Sequence, residues 1–328
     1  MTQYTKAHRH PHYRPSAIKT RRLQHRHAAR GCTPTIPRAF RRLRILFLGC
    51  GDVGERFAKA FADRFNIIGV TRHPERQTTL HASGARWLSV DLDRFKNCRR
   101  MTGLADWIVH SAPPPSVGQN DPRTRHALAA LPGARRWVYL STTGVYGDCA
   151  GALFDETRSV APHSARAVRR VFAEKQLRTH AARGKTQIVT LRVPGIYAAN
   201  RLPIERLKRQ TPALLAAEDV FTNHIHADDL ARIIMYALCR GRSQRTIHAV
   251  DDAPMKMGDY FDAVAAALAL PAPPRLPRAA LKDVLTPMQW TFMSESRRLL
   301  NRRLTQELRF PLRWPSSLDF LAHLHPDH

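Results

Sequence analysis

The chain has 328 residues, 43% of them apolar, and a formal net charge of +27. That is enough to bury a full core in one large domain or one and a half, yet no apolar run approaches the roughly 20 residues of a membrane span. Five cysteines, odd in number, scattered and without C-x-x-C spacing, argue against a disulfide framework or a zinc site and suit a reduced, cytoplasmic setting.

The charge is unevenly placed. Residues 1–43 hold eleven Lys/Arg, five His and no acid, so they carry +11 and leave +16 to the remainder. Few apolar residues, several prolines and no periodicity predict a disordered basic arm over 1–43. The arm reads as an extension outside the fold, as a tether for nucleic acid or another anionic surface, or as a targeting segment.

From residue 44 onward, strands and helices alternate. Arg44-Ile-Leu-Phe-Leu48 is a buried-strand run, and Phe57 and Phe61 recur at helical spacing in a helix predicted over 52–64. Between them stands Gly49-Cys50-Gly51-Asp52-Val53-Gly54. Strand, glycine turn and helix form the setting in which G-x-G-x-x-G binds a dinucleotide. Gly49 allows the tight turn, Gly51 lets backbone approach a pyrophosphate, and Gly54 lets the helix pack on the strand. The first N–H groups of the helix, at Asp52 and Val53, then face the phosphates. Further strands are predicted at 65–71, 85–91, 105–111, 135–142 and 187–193, with helices at 121–131 and 163–183. This alternation predicts a Rossmann-type doubly wound α/β fold over 44–195, with ligands at the carboxyl ends of the strands. Beyond about 196 the pattern loosens into helices at 227–240, 258–269 and 295–308 and a proline-rich connector at 271–277. Residues 196–328 therefore read mainly as a small C-terminal substrate lobe, with room for late sheet elements.

An NAD site ends its second strand with an acid that accepts the ribose 2′-hydroxyl. Here that place holds Thr71-Arg72-His73. Arg72 would pair with a 2′-phosphate, so NADP is favoured and NAD remains possible. Glu75 is the nearest acid that would oppose this if it turned inward.

Several motifs stand in one order: Leu140-Ser-Thr-Thr-Gly-Val-Tyr-Gly147, Asp155-Glu156, Leu191-Arg-Val-Pro-Gly-Ile-Tyr197, Asn223-His-Ile-His-Ala-Asp-Asp-Leu230 and Glu295-Ser-Arg-Arg-Leu-Leu-Asn301. With the glycine loop they make the chain resemble the extended short-chain dehydrogenase/reductases. Within these it resembles the NAD-dependent epimerase/dehydratase group and its atypical bacterial members of the YeeZ type. The resemblance implies that Asp91 and Leu92 contact the adenine and that Ser111, ending the fourth strand, joins the cofactor set. It places Thr142 at the Ser/Thr catalytic position, with Arg166 and Arg170 where active members carry a Tyr and a Lys four residues apart. No tyrosine lies between Tyr146 and Tyr197. A guanidinium stays protonated at any working pH, so Arg166 cannot relay a proton as a phenol does. Spacing of four puts both arginines on one helical face, where they would clamp an anion, take a substitute catalytic role, or belong to a solvated basic face.

Other polar residues have plainer readings. Tyr146 and Tyr197 suit packing, and His110 either faces the cofactor or is buried and structural. Cys50 is a small residue that fits its turn. His224-x-His226 can ligate metal, but no further ligand set is visible and no metal site is expected. Asp228 or Asp229 is expected to cap the helix that follows. Two functions stand ahead of nucleic-acid binding through the arm. One is an NADP-dependent reductase or epimerase-like enzyme acting on a sugar nucleotide or other small carbonyl compound. The other is a non-catalytic dinucleotide-binding sensor or regulator.

Overall fold

The computed structural model describes residues 42–184 and 186–324. The basic arm expected over 1–43, with its nucleic-acid reading, lies outside them except for its last two residues.

The central sheet is built from β1 (Arg44–Leu48), β2 (Asn66–Val70), β3 (Arg86–Leu88), β4 (Trp107–His110) and β5 (Arg136–Thr142). A two-residue strand β6 (Leu153–Phe154) precedes β7 (Gln187–Val193), which also joins the sheet. Four short strands follow: β8 (Gly195–Tyr197), β9 (Ala213–Leu214), β10 (Phe221–Thr222) and β11 (His224–His226). The last sheet strand is β12 (Arg245–His248), followed by β13 (Met255–Lys256), β14 (Arg275–Leu276) and β15 (Arg298–Leu299). The sheet has seven parallel strands in the order β12-β7-β5-β4-β1-β2-β3. Chain order reverses between β1 and β4, and a crevice opens beyond the carboxyl ends of strands at such a point.

Helices α1 (Asp52–Phe61), α2 (Gln77–Ala82), α3 (Phe95–Cys98), α4 (Pro122–Ala130) and α5 (Ala165–Arg183) connect the strands. The later helices are α6 (Ile204–Lys208), α7 (Ala227–Arg240), α8 (Met257–Ala267), α9 (Arg278–Val284), α10 (Pro287–Ser294) and α11 (Ser317–Ala322). Successive residues of a strand face opposite sides of the sheet, and both sides are covered, which is why β1 is apolar from Ile45 to Leu48 after the exposed Arg44. Ile45 and Phe47 join Phe57 and Ala58 of α1 and Leu230, Ile233 and Ile234 of α7. Leu46 and Leu48 join Ala127 of α4 and Ala173 and Leu177 of α5. A separate apolar cluster builds the lobe from Leu207, Leu214, Val220, Phe261, Val264, Leu281, Met293 and Phe320.

One expectation is filled in and one changes. Of the segment beyond 196, α7 covers the sheet face beside α1, and β12 is a late sheet element, extending the sheet from β7. The helix expected at 295–308 does not form. Arg298 and Leu300 donate their N–H groups to Ala152 and Phe154, so the segment pairs as β15 with β6, and only Arg303–Glu307 coils, as one π-turn. A long-range backbone partner there outweighs helical propensity, which decides little on its own.

Candidate functional site

The glycine loop is held from both sides. Gly49 and Cys50 donate to the Val70 carbonyl at 2.9 and 3.0 Å, while Ser111 and Ala112 donate to the Leu48 carbonyl at 2.9 and 3.0 Å. At φ +77°, Gly49 lies against Ala112, and a Cβ would come within 2.5 Å of the Ala112 Cα. A Cβ on Gly54 would meet the Cys50 Sγ at 2.5 Å and the Phe47 ring at 3.1 Å. Gly51 differs: apart from its own chain neighbours, none of the described residues lies within 4 Å of where its Cβ would stand. Two of the glycines are thus small because protein crowds them, and the third borders open space. Cys50 fills the turn, its thiol pushed up to about 12, chiefly by burial, so it is inert. The Ser111 hydroxyl donates back to the Leu48 and Gly49 carbonyls at 3.1 and 2.8 Å, which makes it a brace of the loop.

A crevice of about 420 Å³ runs past Gly49, Gly51, Asp52, Val53, Gly54 and Ser111 to Thr142, Arg166 and Arg170. Burial works against the charge of Asp52, but Arg56, Arg201 and Asn200 together hold its carboxyl below the usual range. Arg56 also donates to Asp228 of α7 and to Asn200, at 2.6 and 2.7 Å. This strap ties the start of α1 to the chain entering the lobe.

At the other end of the loop, a pocket of about 140 Å³ is lined by Arg72, His73, Asp91, Leu92, Asp93 and Arg123 among others. Arg123 grips Asp93 bidentately at 2.6 and 2.7 Å, holding that carboxyl below its usual range, while Arg72 lies 3.5 Å from it. Asp91 accepts from the Asp93 N–H at 3.0 Å and shapes the turn, and Leu92 is buried. Glu75 does not line this pocket; it pairs with His73 at 3.1 Å. Arg123 was not legible in the sequence as a site residue. Its signal is Asp121-Pro-Arg, in which Asp121 caps α4 and sets Arg123 in the first helical turn.

The two arginines of α5 have different fates. Arg170 donates to the Leu140 carbonyl at 2.6 Å and the Tyr139 hydroxyl at 3.1 Å, with its guanidinium over the Tyr139 ring. One of its terminal nitrogens is thus spent on β5, while the side chain still lines the crevice beside Arg166. Arg166 donates to no group and pairs with no carboxylate among the described residues; its guanidinium lies 4.9 Å over the Phe292 ring. Nor is the helix a uniformly solvated basic face, because Arg169 is buried and donates to the Gly118 carbonyl at 2.8 Å. Thr142 accepts the Gly144 N–H at 3.2 Å, which leaves its hydroxyl proton for the cleft.

The remaining tyrosines and histidines divide sharply. Tyr146 is buried, accepts from Arg192 at 2.6 Å and shares a 2.6 Å hydrogen bond with the His248 Nε2. Since the His248 Nδ1 faces the Leu300 carbonyl at 2.9 Å, the Tyr146 hydroxyl is the donor to Nε2. Tyr197 is buried with its hydroxyl unpartnered. His110 is fully buried, held through Thr124, and kept neutral, its pKa lowered to about 4 chiefly by burial. These residues serve packing and structure, and His110 does not face the crevice.

Beyond Thr142 the crevice continues into a lobe cleft of about 350 Å³. Both share Thr142, Arg166, Pro194, Ile196, Arg201 and Phe292 as walls. The far wall carries Arg206, His224, Tyr260, Glu295 and Arg297. Alternation along β11 separates its two histidines. His224 stacks on Tyr260 at 4.2 Å, and its buried Nδ1 has no partner among the described residues. His226 instead accepts the Asp228 N–H at 3.2 Å and is the true cap of α7. Asp229, expected as a candidate cap, accepts from the Arg313 and Trp314 N–H groups at 2.9 Å and fastens the C-terminal segment. Among the described residues no cluster of His, Cys, Asp and Glu is suited to a metal ion, and no helix is long and apolar enough to cross a membrane.

Doubly wound sheet, glycine loop at the switch point and adjoining lobe cleft together define a Rossmann-type protein of the short-chain dehydrogenase/reductase kind. The model of the NAD dependent epimerase/dehydratase family matches residues 45–250, and the chain belongs to that family. A functionally unknown conserved protein from Silicibacter pomeroyi is similar at 29% identity and TM-score 0.71, over 85% of this chain and 96% of that one. A short-chain dehydrogenase/reductase superfamily protein from Agrobacterium tumefaciens with bound NAD shares the fold at 16% identity and TM-score 0.67, over 85% of this chain and 94% of that one. UDP-N-acetylglucosamine 4-epimerase from Bacillus cereus shares it at 15% identity and TM-score 0.64, over 85% and 97%. A comparison with curated proteins returned no match.

Proposed function

We propose that the chain binds NADP along the glycine loop and acts in the lobe cleft on a small carbonyl compound or sugar nucleotide, as an oxidoreductase or epimerase-type protein. The observation that carries this is the open space at Gly51, at the sheet's switch point, continuous with the cleft past Thr142. That cradle fits a pyrophosphate: a side chain there would meet no protein, only an occupant of the crevice. Arg72, with Arg123 and His73 near, supports a 2′-phosphate at the adenosine end, and Asp91 and Leu92 would border the base. The nicotinamide of a bound cofactor would accept or return hydride.

The chain's own groups then bind and orient. Thr142 presents a hydroxyl proton to a substrate oxygen. Arg166 stays charged and holds negative charge in the place where the family's active members carry a phenol. Arg170 stiffens α5 against β5. A second reading, a dinucleotide-binding sensor without turnover, is favoured by one observation: Tyr146 and Tyr197 are both buried away from the cleft. Fluorescence titration with NADPH and NADH tests the cofactor assignment, which fails if NADH binds more tightly. A screen of carbonyl substrates that follows NADPH oxidation separates the two readings. Turnover lost in Thr142→Ala supports the enzyme; turnover unchanged in it removes Thr142 from the site.

A further inference from the structure

Resting on the reading above, we infer that the lobe cleft takes a small organic anion, a carboxylate or phosphate ester, held between Arg166 of α5 and Arg206 of α6. Four guanidiniums line this cleft, and two of them are already neutralised. Arg201 pairs with Asp52 at 3.2 Å, and Arg297 pairs with Glu295 at 2.7 Å. Arg166 and Arg206 pair with no carboxylate among the described residues, so the cleft keeps two positive charges on walls supplied by different parts of the fold.

Both guanidiniums are positioned in the same manner. Arg166 lies over the Phe292 ring at 4.9 Å and Arg206 over the Phe261 ring at 4.6 Å. A cation over an aromatic face is held in place without giving up its N–H donors. Arg206 spends one donor on the Pro212 carbonyl, and its Nε–H is buried without a partner; Arg166 spends none. An arginine fork suits the planar oxygens of a carboxylate or phosphate, and a partly desolvated site strengthens that attraction. The His224 ring, stacked on Tyr260, adds a neutral Nδ1 without a partner among the described residues, which a hydroxyl or carbonyl of the same ligand would satisfy. At about 350 Å³, the cleft is at the small end of ligand pockets, roughly 300–1,000 Å³. A compact anion fills it.

Calorimetric titration of the full chain with malonate, glycerol 3-phosphate and UDP-glucose tests this inference. Malonate or glycerol 3-phosphate should bind, and the preferred one identifies the anion as carboxylate or phosphate ester. Its affinity should fall about tenfold or more in both Arg206→Gln and Arg166→Gln. Arg206→Lys should recover part of the loss, and the melting temperature of each variant shows whether it is folded. Binding of UDP-glucose alone, binding of none of the three, or affinity indifferent to both glutamine variants would overturn the inference. Titration of NADPH into the same samples separates the two assignments: anion binding without NADPH binding sinks the cofactor reading alone, and the converse sinks the anion site alone.

Discussion

The glycine-loop crevice and the lobe cleft share a wall but differ at their far ends. The far end of the crevice is one continuous stretch, the glycine loop and the start of α1, held by the ends of β2 and β4, whereas its near end is walled by Thr142, Arg166 and Arg170. The cleft collects α5, β11, α6, α8 and α10, whose residues lie more than a hundred positions apart. Polar groups follow the same division. Around the glycine loop they are committed: Ser111 to the loop and Asp52 to Arg56 and Arg201. In the cleft Arg166, Arg206 and His224 keep donors or acceptors in reserve. The loop's side chains are spent on shaping backbone, whereas those of the cleft are held back.

The largest expected effects are at the glycines. Gly49→Val forces a β-branched residue to positive φ and into Ala112, so it should cost about 3 kcal/mol or more of stability together with NADPH binding. Gly51→Val meets no protein, so its melting temperature should hold while NADPH affinity drops on the order of a hundredfold. If Gly51→Val melts as low as Gly49→Val, the crevice is packed protein and not a cradle.

Next come the arginines of α5. Arg170→Gln strips a charged donor from the Leu140 carbonyl and should lower stability by about 1–3 kcal/mol in chemical denaturation. Arg166→Gln should leave stability within about 0.5 kcal/mol, because it makes no hydrogen bond to the described residues. Equal losses would erase the distinction between committed and reserved groups.

Arg72→Asp should weaken NADPH by about tenfold and leave NADH unweakened, read by fluorescence titration. An unchanged NADPH affinity would shift the phosphate contact to Arg123 or remove it.

The smallest effect is in acid. Burial is the main cause that depresses His110, His224, His226 and His248 from 6.5 to about 4. Between these values the unfolded chain holds protons that the folded one refuses. The stability they lend is therefore whole above pH 6.5 and shrinks as pH falls toward 4, by up to about 1.4 kcal/mol per pH unit per histidine. Buried carboxyls raised from their usual range, Asp251 above all, act in the opposite sense. His224→Phe isolates one histidine: its stability should fall less steeply than that of the unaltered chain between pH 6.5 and 4. Equal slopes would mean that His224 is already protonated or solvated.

Fold and crevice were legible because their signals are local. β1 reads as apolar because both its faces are covered, and the glycine spacing spans one turn. Most strand ends came within a residue or two, the third strand stops three residues early at Leu88, and 187–193 was placed as it stands. The 295–308 segment misled because its helical pattern competes with a strand partner 145 positions away, at Arg298 and Leu153. Arg166 and Arg170 looked equivalent because spacing of four makes them neighbours on one helix. What separates them is the neighbour each one meets, β5 for Arg170 and Phe292 of α10 for Arg166.

By itself the sequence determined the doubly wound layer, the glycine turn after β1 and the absence of a phenol between Tyr146 and Tyr197, since short-range sterics, periodicity and residue identity suffice for these. Only the tertiary structure decided that His226 and not an aspartate caps α7, that α7 and β12 return to the sheet, and which arginines are paired. The physical reason is common to all three. A charge or donor is committed or available according to what lies within about 3 Å of it, and for these groups that neighbour is supplied by chain packing across long sequence distances.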